Sequence, residues 1–322
     1  MRGLVLSSGT GTLRDDLPEP VPGPDETLVQ VLVAGVCATD LALQAGYMGF
    51  EGVPGHEFVG RALDGPLAGQ RVVGEINAGC GTCERCQGGD PRHCATRSVL
   101  GILGRPGAFA ERLALPTRNL VPVPDAVPDD AAVFSEPLAA ALQIPAELGP
   151  FDGVEALVAG DGRLGLLCAH ALHEAGARVT VAGRHLQRQA LLPQDVTLRT
   201  GLLEDGAAPP SGEPPYALAV EATGQADVLP RLFPWVAPKG TIVLKTTTER
   251  PTPIDLAPLV IHEQRLVGSR CGRFAPALEL LATGRVPVER FIDARLPLKH
   301  ADAALLRAGD RGVLKVLIDI DA

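Results

Sequence analysis

The chain has 322 residues, 46% hydrophobic and 21% charged, with 29 basic against 38 acidic side chains and a net charge of −9. This composition excludes a disordered chain, and no run of eighteen apolar residues is present to cross a membrane as a helix. The acidic balance leaves no general basic field for nucleic acid. The length favours two domains over one, and the N-terminal MRGLVLSSGT lacks a long apolar run and a small-residue cleavage site, so a cytoplasmic protein is expected.

Residues 1 to about 140 read as an all-β region with loops. Short β-rich runs such as Leu28 to Val33 and Phe109 to Leu115 are separated by Gly and Pro turns. From about residue 154 the rhythm changes. Glu155 to Ala159 predicts a short buried strand, Leu164 to Glu174 a helix, and Arg178 to Ala182 the next strand. Ala217 to Glu221, Gly240 to Leu244 and Arg265 to Gly268 continue the series. Apolar runs alternating with helical spacing predict a parallel sheet covered on both faces. Asp205 to Pro215 is Gly- and Pro-rich and is expected to be a surface loop. Ala277 to Ala282 predicts a helix, and Val313 to Ile318 a final strand.

Four of the seven cysteines fall within fifteen residues, as Cys80-x2-Cys83-x2-Cys86-x7-Cys94. Four thiolates at these spacings can wrap one Zn²⁺ tetrahedrally and leave no position open, so the site is structural. A nucleic-acid zinc ribbon is the rival reading, but it usually needs basic residues around the knuckle, and here only Arg85, Arg92 and Arg97 offer charge.

Gly160-Asp161-Gly162-Arg163-Leu164-Gly165 follows a strand, opens a helix and leads to a second strand, as a dinucleotide-binding unit requires. Gly160 makes the turn, Gly162 admits a pyrophosphate to the backbone amides, and Gly165 lets helix and sheet approach. NAD sites usually place an acid at the end of the second strand to bond the adenosine ribose. Here the chain reads Val181-Ala182-Gly183-Arg184-His185. Gly183 leaves room and Arg184 can pair with a 2′-phosphate, with Arg188 as a helper, which favours NADP(H) over NAD(H). Arg184 stacked on adenine would serve both cofactors alike.

Cys37-Ala38-Thr39-Asp40, Gly55-His56-Glu57 and Glu136-Pro137-Leu138 are unremarkable singly. Together they offer thiolate, imidazole and carboxylates, which suit a catalytic zinc with an exchangeable position.

In this order of motifs the whole chain resembles the zinc-dependent medium-chain alcohol dehydrogenase family. It is most similar to the sorbitol and threonine dehydrogenase-like branch, because Glu136 stands where classical alcohol dehydrogenases carry cysteine. The resemblance implies an α/β protein: a GroES-like β-rich catalytic domain over 1–143 with the zinc lobe at 79–95, a doubly wound Rossmann domain over 144–275, and a return to the catalytic domain over 276–322. It implies two Zn²⁺ per chain, one held by Cys80, Cys83, Cys86 and Cys94. The other is held by Cys37 and His56, with Glu57 and Glu136 competing with water or substrate. Asp40 would orient His56, and Thr39 would take the proton of a substrate hydroxyl. Gly160, Gly162, Arg163, Leu164, Gly165, Gly183, Arg184, Thr223 and Ser269 would bind the cofactor. Hydride would pass between a secondary alcohol or polyol and the nicotinamide. Many relatives carry His where this chain has Ala42, so the outward proton route differs. The partners expected are a small alcohol or carbonyl substrate and a second copy of the chain, as dimer or tetramer, with no nucleic acid and no membrane. The copies are expected to pair through Gly240 to Lys245 and Arg265 to Ser269, which are expected to end the dinucleotide sheet. An alternative is an inactive nucleotide-binding relative that keeps only the structural zinc.

Overall fold

The computed structural model describes residues 1–209, 216–247 and 251–321. Residues 210–215, the end of the predicted surface loop, lie outside the described residues. Two compact units are present: Met1–Glu136 with Arg273–Ala322, and Pro137–Gly272.

The first unit is built on a seven-stranded sheet. Its long strand, Glu26–Gly35, buries every second side chain (Thr27, Val29, Val31, Val33), as a strand with one face on the core must. The C-terminal strand Lys315–Asp319 pairs antiparallel with it, Leu317 opposite Gly35, and parallel with Ile292–Pro297. This pairing brings the last residues of the chain beside Val36 and Cys37. A small three-stranded sheet, Asn77–Ala78, Ser98–Leu100 and Gly104–Arg105, forms the base of the cysteine lobe. The region is not purely β. A seven-residue helix, Ala38–Gln44, begins directly after Cys37, and the Asp40 carboxylate accepts the Cys37 backbone N–H at 2.8 Å across its first turn. That cap stabilises a helix too short to show in a periodicity reading.

The second unit holds six parallel strands in the spatial order Thr197–Arg199, Arg178–Ala182, Glu155–Ala159, Tyr216–Glu221, Val236–Leu244, Arg265–Gly268. Numbered along the chain, this is 3-2-1-4-5-6, the dinucleotide-binding order. Ala156, Leu157, Val158 and Ala159 are all wholly buried, because the sheet is covered on both faces. The helix Arg163–Glu174 packs on it through Leu166, Leu167, Ala169 and Leu172. The segments Gly240 to Lys245 and Arg265 to Ser269 do not both end the sheet: Val236–Leu244 lies inside it, and Arg265–Gly268 alone is the edge on that side. The opposite edge, Thr197–Arg199, is three residues long and carries no apolar run. No helix among the described residues is long and apolar enough to span a membrane.

Candidate active site

In the first unit, Cys37, His56 and Glu57 place one ligand atom each within 4.8 Å of the others. Cys37 ends the turn out of the long strand, while His56 and Glu57 enter the strand Glu57–Ala62 that pairs with it, Glu57 opposite Gly35. Asp40, wholly buried, ties the two segments together. Its Oδ2 accepts the Cys37 N–H at 2.8 Å, its Oδ1 accepts the Gly55 N–H at 3.1 Å, and Oδ1 lies 3.3 Å from His56 Nδ1. With Nδ1 facing Asp40, Nε2 is the nitrogen left for a metal, the arrangement by which a carboxylate orients a ligating imidazole. Burial pulls the His56 pKa down, but the charges of Asp40 and Cys37 hold it well above 6.5. A metal ion bound at Nε2 would replace a proton there. Thiolate, imidazole and carboxylate together match a three-ligand zinc site with one position open. Thr39, partly exposed, lies with its Oγ1 3.9 Å from Cys37 Sγ. Glu136, partly buried in the first turn of the helix Ser135–Leu148, is not among the three convergent groups.

Lys315 was not singled out from the sequence. Its ammonium is ion-paired with Glu57, both side chains wholly buried, and donates to the Val36 carbonyl at 3.3 Å. It lies 5.4 Å from the Phe134 ring centroid. A Cβ on Gly35 would sit 2.4 Å from Lys315 Nζ, so only glycine there lets the lysine reach. Burial lowers the Lys315 pKa, against the pull of Cys37 and Asp40. Glu57 is thus shared between the cluster and Lys315. The signal was available: one of only four lysines interrupts an apolar C-terminal strand, where an unpaired charge is not tolerated.

In the lobe, Cys80, Cys83, Cys86 and Cys94 also converge within 4.8 Å. Backbone amides already point at sulfur, Cys83 N–H to Cys80 at 3.3 Å and Cys80 N–H to Cys94 at 3.4 Å. The Thr82 hydroxyl and nearby amides draw the Cys80 thiol down to about 5. The Gly81 amide pulls Cys86 down too, but desolvation and the Cys83, Cys94 and Cys80 sulfurs push it up to about 11. The cluster cannot hold all its charges alone, and a dication removes that conflict. All seven cysteines are free of disulfides.

In the second unit the glycine loop lies at the C-terminal ends of the first and fourth strands, where the strand order reverses. A Cβ on Gly165 would lie 2.0 Å from the Gly160 carbonyl oxygen, whereas one on Gly162 would meet nothing within 4 Å. The loop is therefore tightly wound on its protein side and open above Gly162, which fits a pyrophosphate resting on the amides that begin the helix Arg163–Glu174. Arg163 and Leu164 are partly exposed at that helix start. Arg184 is exposed beside Gly183. Arg188 is not available as its helper: it is buried, and its Nη1 donates to the Asp161 carbonyl at 2.7 Å. Thr223, after the fourth strand, bonds Glu221, Oγ1 to Oε1, at 2.5 Å. Ser269, after the edge strand, is nearly buried and lies 3.4 Å from Lys245 Nζ.

The chain is similar to known proteins. Residues 23–125 match the alcohol dehydrogenase GroES-like domain. The chain is 34% identical over 197 residues to L-threonine 3-dehydrogenase of Stenotrophomonas maltophilia, a stretch covering 56% of this chain and 56% of that protein. The match thus spans little more than half the length of that relative. Solved structures are similar along the whole chain. One from Sinorhizobium meliloti 1021, named as a zinc-binding dehydrogenase and bound to NADP, superposes with a TM-score of 0.88 at 27% identity, covering 99% of each chain. One from E. coli CFT073, named as a short chain alcohol dehydrogenase and complexed with NADH, gives 0.88 at 25% identity and the same coverage.

Proposed function

We propose that this chain, which belongs with the zinc-dependent medium-chain alcohol dehydrogenases, is an oxidoreductase moving hydride between a secondary alcohol or polyol and a nicotinamide cofactor. The observation that carries the reading is the buried convergence of Cys37, His56 and Glu57 under the clamp of Asp40. A purely structural relative has no need of a thiol, an imidazole and a carboxylate gathered in one buried place.

A zinc ion held by Cys37, His56 and Glu57 would acidify a bound alcohol, and a nicotinamide would accept its hydride. The residues of the chain do the rest. Asp40 fixes His56 so that Nε2 stays turned to the site. The Thr39 hydroxyl, beside Cys37, takes the hydroxyl proton of the substrate. With Ala42 beyond it, that proton leaves through water or a ribose hydroxyl. Lys315 neutralises Glu57 and so limits the net negative charge of the buried cluster. Glu136 supplies a further carboxylate when the fourth position exchanges.

Cofactor recognition belongs to the second unit. NADP(H) is preferred over NAD(H), because no acid ends the second strand and Arg184 offers an exposed cation there. A second zinc sits in the four-cysteine lobe, and thiolate ligands of this kind suit the reducing cytoplasm. Subunits associate through the second unit. Among the described residues its edge strand Arg265–Gly268 pairs on one side only, and Leu256, Val260 and Ile261, just before it, are more than half exposed. The test of the reading is a panel of alcohols, sugars and hydroxy amino acids, L-threonine included, followed by nicotinamide absorbance.

A further inference from the structure

The sequence leaves Gly183 where a ribose-binding acid is usual, and the structure shows what fills the space. A Cβ built on Gly183 would lie 2.6 Å from both Cβ and Oδ2 of Asp161 and 2.7 Å from its Cγ. Real side chains do not approach so closely, so any residue larger than glycine at 183 collides with the Asp161 side chain. Asp161 is the variable residue between Gly160 and Gly162, and it is 5% exposed.

Its carboxylate is already committed. Oδ2 accepts the backbone N–H of Arg184 and of His185, both at 2.7 Å. His185 Nδ1 lies 3.0 Å from Oδ2 and 3.2 Å from Oδ1. Arg188 Nη1 is 3.3 Å from Oδ1. A carboxylate has about four acceptor positions, and these donors fill them. It has no capacity left for ribose hydroxyls, although it lies beside the place from which an acid at 183 would reach them. Burial would raise the Asp161 pKa, but the amides of His185 and Arg184 and the charge of Arg188 bring it below 3.8, so it is ionised throughout the working pH range.

Three consequences converge. The acid that would favour an unphosphorylated ribose is barred from position 183. The buried cation, Arg188, is neutralised within the protein. The turn from Gly183 to His185 is fixed by its own amides, and Arg184 is the cation left exposed on it.

We propose that Asp161 determines cofactor specificity, by excluding a side chain from position 183 and pinning the turn that presents Arg184 to a ribose 2′-phosphate. The inference rests on the NADP(H) reading above and names the residue that enforces it. Asp161 acts as a positioning residue through Gly183 and Arg184.

The test is a coupling experiment between positions 161 and 183 on the full chain. Gly183→Ala, which adds only a methyl group, is expected to lower the melting temperature of the cofactor-free protein in the wild-type background. In the Asp161→Ala background the same change should have little effect. Titrations with NADPH and NADH then give dissociation constants. Gly183→Asp alone should weaken NADPH at least tenfold without tightening NADH. Asp161→Ala/Gly183→Asp should bind NADH about tenfold more tightly than Gly183→Asp does. Asp161→Ala alone should reduce the NADPH-to-NADH preference several-fold, whereas a merely structural role would weaken both cofactors equally. Additive melting temperatures, tighter NADH binding by Gly183→Asp alone, or an unchanged preference in Asp161→Ala would each overturn the proposal. If wild-type protein binds NADH as tightly as NADPH, the cofactor reading itself is wrong and this inference falls with it.

Discussion

Lys315 and Glu57 form an ion pair in which both side chains are wholly buried. One comes from the last strand of the chain, the other from a strand that begins 258 residues earlier, and the glycine at position 35 leaves the gap through which they meet. The pair is the point at which the C-terminal return of the chain joins the cluster of Cys37, His56 and Glu57.

Breaking such a pair leaves an uncompensated buried charge, which costs about 3–5 kcal/mol. Lys315→Met is therefore expected to destabilise the protein by that amount in denaturant titration. Lys315→Met/Glu57→Gln should recover part of the loss, because neither charge is then stranded. A Lys315→Met variant as stable as wild type would show that the pair is not formed.

The four-cysteine lobe predicts a metal count. The protein should carry two zinc equivalents per chain by elemental analysis, one for each cluster of ligands. Cys83→Ser should lose one equivalent and melt at lower temperature while the Cys37 site keeps its metal. Unchanged metal content and stability in Cys83→Ser would contradict the structural-zinc assignment.

His170 supplies a pH dependence. It is 2% exposed in the helix Arg163–Glu174, and Nε2 donates to the Leu191 carbonyl at 2.8 Å. Burial lowers its pKa from 6.5. The unfolded chain therefore takes up the proton first as pH falls, so stability is full above about 6.5 and declines below it until the folded pKa is passed. His170→Gln should flatten the fall in melting temperature between about pH 7 and pH 5. An equally steep decline in that variant would assign the acid sensitivity elsewhere.

The exposed edge of the parallel sheet predicts association. Light scattering should give at least twice the chain mass, and Val260→Glu/Ile261→Glu should shift it toward the monomer, because both side chains are over 70% exposed in one chain. A wild-type monomer at micromolar concentration would contradict this.

Much of this architecture was legible in the sequence, for identifiable reasons. Glu155 to Ala159 and Arg178 to Ala182 are continuous apolar runs because the sheet is buried on both faces, and the glycines between them mark the turn and helix start. Cys80 to Cys94 carries its own spacing rule. Spatial order is not written locally, so Gly240 to Lys245 was expected at an edge and instead lies one strand inside. Thr197–Arg199 is too short to show a period. Asp161 and Lys315 were missed because their roles depend on what the fold brings against them, Gly183 in one case and Glu57 in the other. Glu136 was expected to compete for the zinc through the resemblance to the family, and the groups that converge within 4.8 Å are Cys37, His56 and Glu57.

On the proposed function, hydride transfer takes place where Cys37, His56 and Glu57 meet. The most direct test follows nicotinamide reduction by wild type and His56→Ala across the panel of alcohols, sugars and hydroxy amino acids, with cofactor binding measured in parallel. The wild type should reduce the cofactor with a secondary alcohol or polyol of the panel. His56→Ala should fall to background while binding cofactor almost normally, since the glycine loop belongs to the other unit. Turnover retained in His56→Ala would contradict the account.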